Sequence, residues 1–163
     1  MSWEGSNTVY SVRMIVYRIC NRKHAGDLSG KGAAMFGGRW NKKGSPVIYA
    51  GESKEIALLE ILVHAPRVLL PELDILTLAI PDSSITEIEK NELPNNWYDY
   101  PAPTILSEIA ETWIQQGDSI ALKVPSCIIH SAHNYILNCL HPAFEQVMVK
   151  EHTEFHFDPR LLG

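Results

Sequence analysis

Three polar residues interrupt parts of the sequence that would otherwise suit a hydrophobic core. Arg39 lies in a glycine-rich segment, residues 37–44, that runs directly into the strand-like residues 46–50. Glu60 interrupts an otherwise apolar predicted helix, and Ser126 ends a second apolar run. Because a charge or a hydroxyl is costly to bury without a partner, these three side chains favour a polar cleft cut into a small core.

The composition is that of one globular domain. The 163 residues can bury a single core, and 45% of them are hydrophobic and 20% charged. The net charge of −5 argues against direct binding of nucleic acid, which normally needs a basic surface. The three cysteines lack the spacing of a zinc site and are expected to be thiols in a reducing cytoplasm. No apolar run is long enough to cross a membrane, so we expect a cytoplasmic protein without a membrane partner.

The beginning of the chain differs in character from the rest. Residues 1–13 are polar and are expected to form an extension, either disordered or left from expression, so the domain is predicted over 14–163. Residues 21–38 are rich in glycine and are predicted to form a loop. This loop does not match the glycine pattern of dinucleotide-binding folds, because a pattern started at Gly30 places Met35 at the last glycine position.

The order of the predicted elements favours an α+β domain with a small mixed sheet. One helix is predicted over residues 53–64 with Ser53 as its N-cap. A second helix is predicted to be capped by Thr104 and to end near Gly117. Short strands are predicted over residues 14–20, 46–50, 76–80, 85–88, 120–124, 147–150 and 155–157.

The histidines do not predict a metal site. His130 and His133 have a tolerable spacing for ligands, as do His152 and His156. Neither pair is accompanied by the acidic or cysteine residues that would complete a coordination sphere. His156 lies between two phenylalanines, which is typical of an edge strand with outward-facing histidines. Metal catalysis is therefore not expected.

The chain resembles a known family. The order of Arg39, Glu60 and Ser126 resembles the RES domain, which is named for these three residue types and occurs as the toxin of bacterial toxin–antitoxin pairs. The resemblance covers nearly all of the chain from Met14 onward and departs at Cys139, where the family tends to place a proline. It is carried, in order, by residues 16–18, 38–41, 49, 57–60, 124–126, 134–138, 141–144 and 157–161.

The resemblance implies a fold like that of ADP-ribosyltransferases and an enzyme that uses NAD as a substrate, with no cofactor. Because nicotinamide leaves as a neutral molecule, the difficult part of the reaction is the positive charge that develops on the ribose. Glu60 is expected to stabilise that charge, and Arg39 to hold the dinucleotide through paired hydrogen bonds. Ser126 lacks the histidine partner of a nucleophile and is expected to orient the ribose or Glu60 as a hydrogen-bond donor.

Each of these assignments has a structural alternative. Most glutamates reach solvent, although the apolar neighbours of Glu60 weaken that interpretation. Arg39 could instead stack on Trp40 or pair with a surface acid, and Ser126 could form a turn after Pro125.

Four further residues are candidates for binding NAD. Arg18 could contact a phosphate or have a structural role, and Tyr49 could stack on a ring of the ligand or be half-buried packing. Trp40 and Asn134 follow from the resemblance alone. With Arg39, these residues make up the predicted substrate site.

The resulting expectation is a toxin that consumes NAD by hydrolysis or phosphorolysis of the nicotinamide–ribose bond and is neutralised by a cognate antitoxin. The alternatives are a protein ADP-ribosyltransferase and a non-enzymatic interaction module on the same fold. The resemblance implies an Xre-type helix-turn-helix antitoxin as the partner and makes a homodimer a further expectation. Any contact with DNA would belong to that antitoxin.

Overall fold

Seven strands form one mixed sheet in a computed structural model that describes residues 12–64 and 72–162. The strand order is β4-β5-β6-β2-β1-β3-β7, and every neighbouring pair is antiparallel except β4 and β5. With three helices, this confirms the predicted α+β class. The strands are β1 (Arg13–Asn21), β2 (Val47–Gly51), β3 (Leu73–Pro81), β4 (Ile85–Glu87), β5 (Ala121–Pro125), β6 (His133–Asn138) and β7 (Met148–Phe155).

The sheet has a hydrophobic core on both faces, because side chains alternate along each strand. In β2, Val47 and Tyr49 point to one face, and Ile48 and Ala50 point to the other. The first face packs against the tryptophans at positions 40, 97 and 113, and the second against aliphatic residues of β1 and β3. The central strands are therefore apolar on both sides.

Three helices accompany the sheet: α1 (Lys31–Phe36), α2 (Lys54–His64) and α3 (Thr104–Gln116). The predicted cap of α2 is confirmed, since the Oγ of Ser53 accepts a hydrogen bond of 3.1 Å from the backbone N–H of Ile56. The end of α3 at Gly117 is also confirmed, and φ is 65° at this glycine. Thr104 is the first helical residue and not the cap, because Pro103 occupies the cap position.

The structure corrects three other predictions. The glycine-rich loop over residues 21–38 contains helix α1. The two strands predicted over residues 147–150 and 155–157 are one continuous strand, β7. Strand β6, in the middle of the sheet, was missed. The predicted extension over residues 1–13 lies outside the described residues except for its last two positions.

Strand β7 forms one edge of the sheet and pairs with β3. Its residues are exposed from Met148 to Glu154, and the pairing shifts register between Thr77 and Leu78 of β3. In the part of the chain that the structure describes, no strand pairs with its outer side. The core therefore lies on the strands inside this edge, from β5 to β3.

Candidate functional site

Arg39 is held by two backbone carbonyl groups. Its Nη1 donates a hydrogen bond of 2.8 Å to the oxygen of Trp97, and its Nη2 donates one of 2.9 Å to the oxygen of Asp99. These contacts replace the stacking on Trp40 or the surface ion pair that the sequence left open. They fix the guanidinium to the loop before α3.

Glu60 is paired with a buried amide. The Nδ2 of Asn134 donates a hydrogen bond of 2.8 Å to Oε1 of Glu60. Asn134 lies in β6, between Gly51 of β2 and Val124 of β5 in the register of the sheet. Only 8% of Asn134 is exposed, and its Oδ1 is buried without a described partner. Glu60 is thus half-buried over the sheet.

A close approach of α2 to β2 places Glu60 over Asn134. A Cβ atom on Gly51 would lie 2.8 Å from the backbone nitrogen of Ala57, closer than such contacts allow. Glycine at this position therefore lets the first turn of α2 rest on the end of β2. A larger residue would push the helix, and with it the carboxylate, away from the sheet.

Tyr49 is hydrogen-bonded to the segment that carries Arg39. Its Oη donates a hydrogen bond of 2.6 Å to Oδ1 of Asn41 and accepts one of 3.0 Å from the N–H of Trp40. Burial raises the pKa of Tyr49, the charge of Arg39 lowers it, and the charge of Glu60 raises it. Both charges therefore act on this phenol, which stays protonated at neutral pH.

Cys127 joins the group and was missed from the sequence. Burial raises the pKa of the Cys127 thiol, while the charge of Arg39 lowers it and that of Glu60 raises it. The two charges that act on Tyr49 therefore also act on Cys127. Its position directly after Ser126 was the available signal, and it was passed over because the three cysteines share no ligand spacing.

Ser126 shapes the loop that carries Cys127. Its side chain is fully buried, and its Oγ accepts hydrogen bonds of 3.1 Å and 3.2 Å from the N–H groups of Ile128 and Ile129. Ser126 therefore forms the turn that the sequence allowed as its alternative role. The role of Ser126 as a donor to the ribose or to Glu60 stays a prediction.

Two predicted ligand contacts lie away from this group. Arg18 shares a face of β1 with Val16 and Cys20, opposite to the face of Tyr49 and Asn134, and its Nη1 donates to the oxygen of Asp27. Trp40 is 2% exposed and packs in the core with the other tryptophans of the same face. The structure therefore does not bring Arg18 to Arg39, and it leaves Trp40 no exposed ring for a ligand.

Two of the histidines contact acidic side chains. The Nε2 of His152 is 2.6 Å from Oδ2 of Asp74, and the Nδ1 of His133 is 3.2 Å from Oε2 of Glu52. Within residues 12–64 and 72–162, no three His, Cys, Asp or Glu side chains are grouped to hold a metal ion. None of the helices described is long and apolar enough to cross a membrane.

Two cavities lie beside α3, away from the Arg39–Glu60 group. The larger, of about 590 Å³, is lined by residues that include Ser45, Glu111 and His141. The smaller, of about 320 Å³, is lined by Trp113 and its neighbours on β4 and β5. Neither lining includes Arg39 or Glu60, so the Arg39–Glu60 group is identified by the chemistry of its side chains.

The group combines a fixed cation with a fixed carboxylate on one face of the sheet. A guanidinium suits an anionic part of a ligand, such as a phosphate. A carboxylate with one oxygen bonded and the other available can stabilise a positive charge that develops nearby. The site therefore suits a ligand that carries phosphate and reacts through a cationic centre.

Comparisons with known proteins identify the family. The model of the family described as RES domain matches residues 15–158. Toxin Res of Yersinia enterocolitica serotype O:8 / biotype 1B is 36% identical over 151 residues, which cover 91% of this chain and 99% of that protein. The Prs ADP-ribosylating toxin of Sphingobium sp. (strain YBL2) is 32% identical over 142 residues, covering 85% and 88%.

A solved structure shares the fold. A chain of the M. tuberculosis MbcT–MbcA toxin–antitoxin complex superposes with a TM-score of 0.74 and 19% identity, over 93% of this chain and 88% of that one.

Proposed function

Since the chain belongs to the RES domain family, we propose that it is the toxin of a toxin–antitoxin pair and that it consumes NAD by cleaving the nicotinamide–ribose bond. Relatives that align over nearly the whole chain are named as toxins, and one of them is named as ADP-ribosylating. Transfer of ADP-ribose begins with cleavage of the same bond. The proposed cleavage of NAD and the transfer of ADP-ribose therefore break the bond at the same carbon of the ribose.

The observation that carries the proposal is the hydrogen bond between Asn134 and Glu60. Nicotinamide needs little acid catalysis to leave, so the barrier lies in the positive charge on the ribose. Asn134 fixes Oε1 of Glu60, and Oε2 is then oriented to accept a hydrogen bond from a ribose hydroxyl. A carboxylate held in this way is stabilising in the transition state more than in the ground state.

Arg39 supplies the binding energy for the phosphates. Two of its five N–H donors are used by the oxygens of Trp97 and Asp99, and the others can reach a pyrophosphate. A dinucleotide with its phosphates at Arg39 would place its nicotinamide ribose at Glu60. Ser126 maintains the loop that carries Cys127.

The acceptor of the ADP-ribose group decides between related activities. Water gives hydrolysis and phosphate gives phosphorolysis, and both need only a small opening above the ribose. Transfer to a protein side chain is the second candidate, and it is favoured by the relative from Sphingobium, which is named as ADP-ribosylating. A non-enzymatic interaction module is the remaining alternative.

Substitution of Glu60 tests the proposal. Glu60→Gln keeps the size and the hydrogen bond to Asn134 but removes the charge, so kcat for nicotinamide release from NAD should fall by about a hundredfold or more. Glu55→Gln, on the exposed side of the same helix, is the matched control and should retain activity. Near wild-type turnover by Glu60→Gln would rule out the assignment, and no nicotinamide release by the wild type would favour the interaction module.

The products identify the acceptor. Hydrolysis should give free ADP-ribose in any buffer, whereas phosphorolysis should require phosphate and give a phosphorylated ADP-ribose. Incubation of labelled NAD with host lysate and the toxin should label a protein only if a side chain is the acceptor. A label that depends on Glu60 would support the second candidate.

The proposed partner is a cognate Xre-type helix-turn-helix antitoxin, acting in the cytoplasm where NAD is abundant. An uncontrolled NAD-consuming enzyme would exhaust its host, and the structural neighbour is part of a toxin–antitoxin complex. An antitoxin that pairs an acidic group or a chain terminus with Arg39 would compete directly with NAD. Purified partner should then raise the apparent Kd for NAD.

A homodimer is proposed as well, and sedimentation of the purified chain tests it.

A further inference from the structure

Two exposed aromatic side chains lie beside the residues that hold Arg39. The ring centroids of Tyr98 and His130 are 4.8 Å apart, with the planes tilted by 40°. Tyr98 is 47% exposed and His130 is also exposed. Trp97, which is buried, packs against both rings, at 5.6 Å from Tyr98 and 5.0 Å from His130. The two exposed rings are therefore backed by a fixed indole.

The position of this pair is set by Arg39. The guanidinium binds the carbonyl oxygens of Trp97 and Asp99, the residues on either side of Tyr98. His130 belongs to the loop that Ser126 shapes, and this loop also carries Cys127, whose thiol senses the charge of Arg39. Two loops thus converge on Arg39 and place one aromatic ring each beside it.

We propose that Tyr98 and His130 form a stacking platform for the adenine ring of the dinucleotide. This inference rests on the proposed function. In NAD the phosphates lie between the two rings, so a ligand with its nicotinamide ribose at Glu60 and its phosphates at Arg39 directs the adenine beyond Arg39. Tyr98 and His130 form an exposed aromatic surface next to the carbonyl groups that bind Arg39. Aromatic side chains bind the flat faces of bases.

Binding of AMP tests the platform independently of catalysis. Tyr98→Ala leaves the carbonyl groups that hold Arg39 in place and should raise the Kd of AMP, measured by calorimetry, by about tenfold. Tyr98→Phe keeps the ring and should bind AMP as the wild type does, and His130→Ala should show a smaller loss than Tyr98→Ala. Tyr100→Ala, an 87% exposed tyrosine of the same loop, is the matched control and should also bind as the wild type does.

Kinetics with NAD provide the second readout. Tyr98→Ala should raise KM by about tenfold with kcat nearly unchanged, because adenine is remote from the bond that breaks. Unchanged AMP affinity in Tyr98→Ala, or a wild type that does not bind AMP, would overturn the platform. The platform would also be overturned if Tyr98→Ala lost affinity for nicotinamide mononucleotide and kept its affinity for AMP. A wild type that binds AMP through Tyr98 but releases no nicotinamide would contradict the proposed function and leave the platform standing.

Discussion

Glu60 and Asn134 are 74 residues apart in the sequence, and a hydrogen bond of 2.8 Å joins the amide of one to the carboxylate of the other. The bond connects helix α2 to the middle of the sheet, where Asn134 is buried and Glu60 is half-buried. A glutamate on a largely apolar helix is thereby given a fixed orientation. The amide acts through Glu60, which makes Asn134 a positioning residue.

Replacement of Asn134 by aspartate should alter the pH dependence of turnover. A second carboxylate beside Glu60 makes ionisation of both unfavourable, so the acidic limb of the kcat profile should move to higher pH. A pH series of nicotinamide release measures the shift. Asn134→Ala, which removes the contact without adding charge, should lower kcat and leave the limb nearer to its original position. An unchanged limb in Asn134→Asp would mean that residue 134 does not act on the group that limits turnover at low pH.

Replacement of Arg39 by alanine should weaken NAD binding, with a rise in KM of about tenfold or more for a lost charged hydrogen bond. Steady-state kinetics give the value, and Arg160→Ala, at an exposed arginine paired with Asp158, is the control.

Arg18→Ala tests whether Arg18 binds NAD, as the sequence suggested, or has no part in binding, as its position in the structure indicates. Because Arg18 lies on the opposite face of the sheet, the KM of Arg18→Ala for NAD should equal that of the wild type. A rise comparable to that of Arg39→Ala would restore the predicted contact of Arg18 with a phosphate.

Treatment with EDTA should leave NAD consumption unchanged. The proposed chemistry uses a carboxylate to stabilise the ribosyl cation, and the described residues contain no group of three metal ligands. Nicotinamide release before and after dialysis against the chelator is the measurement. Activity that disappears on chelation and returns with zinc or magnesium would show that a metal ion takes part.

Asp74 should contribute a pH-dependent part of the stability. The hydrogen bond from Arg22 lowers the pKa of Asp74 below its ordinary value of 3.8, and His152 lowers it further. The ionised, paired form therefore stabilises the fold above pH 3.8, and this contribution disappears as the pH falls through the lowered pKa. Asp74→Asn should lower the melting temperature at pH 7, and the difference from the wild type should shrink towards pH 3. A difference independent of pH would indicate packing instead.

The sequence predicted the elements that have local signals. Ser53 marks the start of α2 and Gly117 the end of α3, because capping depends on residues a few positions apart. Strand β6 has no comparable signal. It begins at His133 and Asn134, whose polarity conceals a strand that is buried by its two neighbours. Burial of that kind depends on the sheet order, which a single sequence does not contain.

The candidate site residues were chosen by residue type, and the structure shows which of them lie together. Arg39, Tyr49, Glu60 and Asn134 lie on one face of the sheet because β2, β6 and α2 meet there. Arg18 was assigned from its neighbourhood in the chain, but the alternation of β1 turns it to the other face. Cys127 was passed over because the cysteines were judged by ligand spacing alone, and that spacing says nothing of how the loop after Ser126 folds towards Arg39.

The outer side of β7 has a consequence for the behaviour of the protein in concentrated solution. Among residues 12–64 and 72–162, no strand pairs with the outer N–H and C=O groups of β7, which could accept a strand from another molecule, and this is how sheets extend into aggregates. Lys150, Glu151 and Glu154 place charges along this strand, and the register shift opposite Thr77 makes it irregular. A regular partner strand would have to bury those charges and match that irregularity. The charges of β7 therefore act as gatekeepers against self-association, and apolar replacements there should reduce solubility before they reduce activity.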